Sequence, residues 1–104
     1  MIGEIRDKES LDVAIQASLT GHLVLATLHT NDAISTINRL LDLQAEPYLI
    51  ASTLKTIISQ RLVLKLCSDC KVKNEDESFD SFACPKCNLT GYKEREVISE
   101  LFVV

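Results

Sequence analysis

The sequence predicts an α/β fold with a small cysteine-based metal module, and three observations carry that prediction. Apolar residues recurring at helical spacing stand on both sides of a nearly continuous apolar run, Leu23-Val24-Leu25-Ala26-Thr27-Leu28, the pattern of a strand covered on both faces. Four cysteines fall in two pairs, Cys67-Ser68-Asp69-Cys70 and Cys84-Pro85-Lys86-Cys87, with thirteen residues between the pairs. Hydrophobic residues make up 46% of the chain but only five are aromatic and none is Trp, so the core is aliphatic. At 104 residues the chain is one small domain or a piece of a larger one.

The elements follow in order. Residues 2–6 form a short apolar stub, and Asp7 caps a helix whose buried face is Leu11, Ala14, Ile15 and Leu19. Gly21 stops that helix, and His22 to His29 is read as a central strand of the sheet. After the polar turn Thr30-Asn31-Asp32, a second helix carries Ile34, Ile37, Leu40 and Leu41 on one stripe and ends near Gln44. Pro47 opens a third helix with Ile50, Leu54, Ile57 and Ile58 at helical spacing. Leu62 to Leu66 is a short strand feeding the first cysteine pair, and Lys73 to Ser81 is the most polar stretch. Gly91-Tyr92 turns the chain out of the cysteine module, and Val97 to Val104 is a last strand. No internal repeat or low-complexity segment is visible.

The cysteines are the most specific chemistry. A Cys-x2-Cys turn lets two sulfurs converge on one metal while nearby backbone N–H groups stabilise the thiolates, so two such turns supply the four ligands of a tetrahedral Zn²⁺. The central gap is slightly shorter than the usual template. Two disulfides or redox-active pairs are the competing readings. The start of the chain shows no signal-peptide pattern and no apolar run approaches bilayer length, which points to a reducing cytoplasm and against both. Four thiolates leave no open coordination position, so the metal's expected role is structural.

Charge excludes one class of partner. The formal net charge is −4, a closed tetrathiolate zinc site makes it more negative, and non-specific attraction to nucleic acid or anionic lipid is not expected. Between Cys67 and Cys87, Asp69, Glu75, Asp76, Glu77 and Asp80 outnumber Lys71, Lys73 and Lys86. A nucleic-acid-binding zinc ribbon is normally basic on one face.

Both ends read as cut rather than finished, and several segments carry a resemblance. They are Gly3-Glu4-Ile5-Arg6-Asp7, then Gln16-Ala17-Ser18-Leu19-Thr20-Gly21-His22-Leu23-Val24-Leu25-Ala26-Thr27-Leu28-His29-Thr30-Asn31, then Gln60-Arg61-Leu62, Gly91-Tyr92 and Arg95. In collinear order over essentially the whole chain, they resemble the secretion ATPase superfamily, in its type II secretion and type IV pilus assembly branch. That resemblance implies part of a three-layer RecA-like P-loop NTPase core at 1–65, a zinc-ribbon-like tetracysteine module at 66–91, and a strand returning to the core at 92–104. It implies a hexamer in the full-length protein, inner-membrane components of a secretion or pilus machine as partners, and a cytoplasmic location peripheral to a bacterial inner membrane.

By the same resemblance, Gly3 to Asp7 match the end of the Walker B element. Glu4 would polarise the attacking water or help hold Mg²⁺ at the γ-phosphate of ATP, whereas spacing alone reads it as a strand-end carboxylate facing solvent. Thr20 to Asn31 match the His box, in which His22 and His29 bracket the strand. A histidine near the γ-phosphate there couples hydrolysis to movement between subunits; unaided, such a histidine reads as a surface or capping residue. Six intervening residues put the two imidazoles about 20 Å apart on a fully extended strand, too far to share a metal. The tetracysteine insertion aligns the chain with assembly and secretion motors rather than retraction motors. Glu94 and Val97 stand where the family reads glycine, while Arg95, Ile98 and Glu100 match.

No Gly-x-x-x-x-Gly-Lys-Ser/Thr occurs in these residues. The resemblance places the P-loop upstream and its strand between residues 22–29 and the strand running into Cys67. The expectation is therefore a fragment that does not itself hydrolyse ATP, whose two flanking strands either pair directly, recruit a second copy or leave the gap filled by other residues. A stand-alone zinc-ribbon interaction module is the alternative reading.

Overall fold

The structure is a computed structural model that describes residues 1–81 and 83–104. Its elements are α1 (Lys8–Leu19), α2 (Ala33–Asp42), α3 (Pro47–Thr53), β1 (Thr56–Leu66), β2 (Lys71–Lys73), β3 (Phe79–Ser81) and β4 (Tyr92–Val103), with a single 3-10 turn at Pro85–Cys87. The mixed helix and strand content is that of an α/β chain. Two compact units are present, Met1–Ser59 with Ser99–Val104, and Gln60–Ile98.

In the first unit α1 starts where its sequence dictates. The Asp7 carboxylate accepts the Ser10 amide at 2.8 Å, which satisfies one of the orphan donors of the first turn. Leu11, Ala14 and Ile15 are buried at i, i+3 and i+4. Leu19, expected on that face, is 50% exposed. It is the last helical residue, after which the Thr20 amide bonds back to the Gln16 carbonyl and Gly21 takes a φ of +92°. The core these residues join contains Ile5, Leu40, Ala45 and Ile50, with Val24, Leu28 and Leu54 packed against it.

α2 turns a different face inward from the one its apolar stripe suggested. Asp32 and Ser35 form a reciprocal capping box, and the buried residues are Ala33, Thr36 and Leu40. Ile34 and Leu41, seven apart on the neighbouring flank, remain exposed. Thr36 can be buried because its hydroxyl bonds the Asp32 carbonyl at 3.1 Å and the Thr30 hydroxyl at 2.7 Å. The helix closes at Asp42, and Gln44 follows in the left-handed region with φ +66°.

α3 opens at Pro47 as expected but stops at Thr53, with Leu54 already extended. Ile57 and Ile58, expected on this helix, lie instead on β1, one buried and one exposed. The run Thr56-Ile57-Ile58 is β-branched throughout, and such side chains lose rotamers in a helix but fit a pleated strand.

β1 pairs with β4 in a two-stranded sheet. Both strands begin earlier than expected, at Thr56 and Tyr92. The Val104 amide bonds the Lys55 carbonyl at 3.0 Å and the Cys67 amide bonds the Gly91 carbonyl at 2.9 Å, so the strands run antiparallel. Between these two bonds β4 has one residue more than β1, the signature of a β-bulge, and Glu94 within β4 takes a φ of +69°.

The segment 22–29 departs furthest from expectation. It lies beside the N-terminal stub through one parallel bridge, Ile2 to Ala26, with the Ile2 and Ile5 amides donating to the Leu25 and Thr27 carbonyls at 2.8 and 2.9 Å. Val24 and Leu28 face the core, whereas Leu23 is 86% and Leu25 58% exposed. The run is covered on one face only, so it is not the doubly covered central strand that its composition suggested. Direct pairing of 22–29 with β1 is not observed among the described residues.

The second unit holds β2 and β3 as an antiparallel hairpin, with Lys71 opposite Ser81 and Lys73 opposite Phe79. Its turn is closed by the Asn74 amide on the Ser78 carbonyl at 2.8 Å, and the Asn74 side chain donates to Asp80 at 2.8 Å. The polar stretch is thus an ordered hairpin rather than a plain loop. Among the described residues no helix is long and apolar enough to cross a membrane.

Candidate functional site

Each unit contains one cluster of chemistry-bearing side chains. In the first, Glu4 is held from both sides. Its Oε1 lies 3.0 Å from His29 Nε2, and its Oε2 accepts from both Arg6 Nε and Arg6 Nη2 at 2.7 Å. Glu4 and Arg6 are two apart on extended backbone, which puts both side chains on the same face. The parallel alignment of residues 2–5 with 25–27 brings the turn after the apolar run alongside them. The Thr27 hydroxyl adds a bond to the Gly3 carbonyl.

The Arg6 guanidinium, by hydrogen bond and then by charge, holds the Glu4 carboxyl below its ordinary range, and His29 acts in the same direction. The carboxylate therefore stays ionised at neutral pH and loses its charge only as pH falls through that lowered value. His29 has its side chain 88% exposed while that of Glu4 is 23% exposed. The arrangement is an anion held by Arg6 beside an exposed imidazole, able to orient a water or a hydrated cation.

His22 is elsewhere. Its Nδ1 lies 3.2 Å from the Ala17 carbonyl and 3.1 Å from the Thr20 hydroxyl, both at the end of α1. The structure thus joins Glu4 with His29 and gives His22 a helix-terminating position. Sequence reading left Arg6 without a role, although its i, i+2 spacing from Glu4 was visible there.

In the second unit Cys67, Cys70, Cys84 and Cys87 place all four sulfurs within 4.8 Å of one another. The separations are 3.8 Å for Cys67–Cys84, 3.9 Å for Cys70–Cys87 and 3.6 Å for Cys84–Cys87. Four sulfurs at ~2.3 Å from a tetrahedral Zn²⁺ stand about 3.8 Å apart. A disulfide needs about 2.05 Å, so the geometry fits a tetrathiolate metal site. All four cysteines are free.

The two knuckles are built differently. After Cys67, the Lys71 amide returns to the Cys67 carbonyl at 2.9 Å. After Cys84, Pro85 opens the 3-10 turn and Asn88 and Leu89 take left-handed backbone, with the Leu89 amide on the Cys84 carbonyl at 3.0 Å. The Cys84 and Gly91 amides point at Cys87 Sγ, at 3.5 and 3.3 Å. Those donors, Cys84 first, bring the Cys87 thiol down to about 6 despite its burial. Burial and the crowding of three other sulfurs push Cys70 up to about 12. Gly91, with φ +79°, is required here, since a Cβ would meet Ser81 Oγ at 2.4 Å.

Comparison with known proteins gives one consistent result. Residues 1–104 match the family model described as Type II/IV secretion system protein. The chain is 57% identical over its whole length to the type II secretion system protein HxcR of Pseudomonas aeruginosa, of which it covers 22%. It is 48% identical to the type II secretion system ATPase E of Vibrio cholerae, covering 24%, and 43% identical to the type IV pilus assembly ATPase PilB of Thermus thermophilus, covering 14%. The chain spans less than a quarter of the length of these relatives. With cysteine module and carboxylate–histidine cluster both inside the matched region, the chain belongs to the type II/IV secretion system protein family.

Proposed function

We propose that these residues form part of the motor core of an ATPase that drives type II secretion or type IV pilus assembly. In this reading residues 1–65 belong to a RecA-like core, Gly3–Asp7 are the end of its Walker B element, and residues 20–31 are its His box. The observation that carries the reading is the 3.0 Å contact between Glu4 and His29, which joins two residues that the resemblance had assigned to a single reaction centre. Support also comes from the full-length match to the family and from relatives whose names include ATPase.

ATP with Mg²⁺ would supply the electrophilic γ-phosphoryl group. Glu4, kept ionised by Arg6, would accept the hydrogen bond of the attacking water or hold a water of the cation's shell. His29 would follow the charge that develops there, and its exposed position suits a group that reports hydrolysis to a neighbouring subunit. His22, which caps α1, would hold the other end of the same box. Hexamerisation, ATP binding and peripheral attachment to inner-membrane components on the cytoplasmic side are parts of the same proposal. So is a structural Zn²⁺ held by Cys67, Cys70, Cys84 and Cys87.

The test is steady-state hydrolysis by the whole protein. Glu4→Gln is expected to lower turnover at least a hundredfold while ATP binding persists, because the shape stays and the charge goes. His29→Ala is expected to reduce kcat rather than nucleotide affinity. Wild-type hydrolysis by the Glu4→Gln protein overturns the assignment.

A further inference from the structure

Glu100 matches the family pattern yet has no part in the reaction centre proposed above. Its Oε2 accepts the backbone amide of Ala33 at 3.0 Å, across 67 residues of sequence. Ala33 is the first residue of α2 and is 0% exposed. An N-cap side chain reaches the second or third amide of a helix, not the first, and Asp32 already accepts from Ser35 at 2.6 Å. Glu100 is thus the acceptor that this buried amide bonds. The carboxylate also places negative charge where the helix N-terminus favours it.

The turn that carries His29 runs directly into this cap. It is stitched onto α2 by the Thr30–Thr36 hydroxyl contact at 2.7 Å, by Thr36 on the Asp32 carbonyl at 3.1 Å and by the Asp32–Ser35 capping box. Turn and helix are therefore joined by side-chain bonds, and the Glu100 bond ties them to β4. The His29 side chain is 88% exposed, so packing does not fix its place. Its place is set by its backbone and by the bond to Glu4.

We infer that Glu100 is a positioning residue: by capping α2 from β4, its carboxylate holds the turn from His29 to Asp32 so that the imidazole meets Glu4. The consequence for turnover rests on the proposed ATPase reading, while the structural claim does not. Magnetic resonance on the 104-residue chain reads the structural claim through the Ala33 amide exchange rate and the His29 ring resonances, with Glu4→Ala marking the position of an imidazole that has lost its partner.

In Glu100→Ala the Ala33 amide is expected to exchange about tenfold faster, and the His29 resonances to move toward those of Glu4→Ala. Glu100→Asp, one methylene too short to reach, should do the same if the alanine variant fails to fold. Glu100→Gln keeps an acceptor oxygen and should stay near wild type. In the whole protein, Glu100→Ala should lower kcat roughly five- to tenfold at constant KM and add nothing on top of His29→Ala. An unchanged Ala33 exchange rate, an unmoved His29 resonance, or a full additional loss in the His29→Ala background overturns the inference. Wild-type hydrolysis by Glu4→Gln would instead defeat the ATPase reading, with the two resonance measurements still deciding the role of Glu100.

Discussion

The two units of this chain are held together by different physics. The first buries Ile5, Leu11, Ala14, Ile15, Leu40, Ala45 and Ile50 in one aliphatic cluster. In the second, Gln60–Ile98, the buried residues among those described are Cys67, Cys87 and Gly91, all at the cysteine site. A segment with so little apolar interior cannot offset the conformational entropy of ordering its backbone by hydrophobic burial alone. Metal ligation can fill that deficit, because binding energy at a site absent from the unfolded chain is folding energy.

The largest effect is expected where metal is withheld from the cysteine cluster. One zinc per chain is expected in reduced protein by metal analysis, and structural zinc sites of this kind contribute about 10 kcal/mol or more near neutral pH. Chelation, or Cys67→Ser, should abolish amide protection across residues 67–91 while α1 and α2 keep theirs. Protection of the knuckles that survives complete removal of metal would show that the second unit needs no cation.

The reciprocal experiment empties the aliphatic core. Leu11 is 4% exposed, and Leu11→Ala should cost roughly 2–5 kcal/mol in chemical denaturation. Zinc stoichiometry should not change under native conditions. Leu23→Ala, at a residue 86% exposed, should fall within about 0.5 kcal/mol of wild type in the same assay. A large effect at Leu23 would mean that the segment 22–29 is covered in solution.

The smallest expected effect lies on the ribbon of β1 and β4. Glu94 adopts a φ of +69° within β4, a conformation that costs a non-glycine residue about 1–2 kcal/mol. Glu94→Gly relieves that strain and gives back part of it as unfolded-state entropy. A net stabilisation of up to about 1 kcal/mol is expected, read as a raised denaturation midpoint. Destabilisation instead would mean that the Glu94 side chain contributes more than its backbone costs.

The same contrast explains what the sequence could disclose. Asp7, Pro47 and the Leu11-Ala14-Ile15 stripe specify local structure, and α1 and the start of α3 were readable from them. The cysteine spacing encodes a convergence that needs no periodicity, so the gathering of the four sulfurs was readable too. Inward faces were harder. Ile34 and Leu41 look more buried than Ala33 and Thr36 on hydrophobicity alone, because the order reflects where α2 sits and how Thr30 satisfies a hydroxyl. Ile57 and Ile58 fit a helical stripe and a strand equally well until β4 supplies a partner. Arg6 and Glu100 escaped notice as functional groups because each gains its meaning from a contact: one local but electrostatic, the other 67 residues away.

Gly91 joins the end of the ribbon to the cysteine cluster, its carbonyl receiving the Cys67 amide while its own amide points at Cys87 Sγ. The last donor to the cluster is therefore a residue whose place is fixed by strand pairing rather than by the knuckle itself. With a cation held there, fraying of the ribbon end back past Cys67 would loosen one ligand position and one sulfur donor together. Loss of a bound ion is then expected to track hydrogen exchange at the Cys67 amide, which chelation kinetics followed alongside exchange would read.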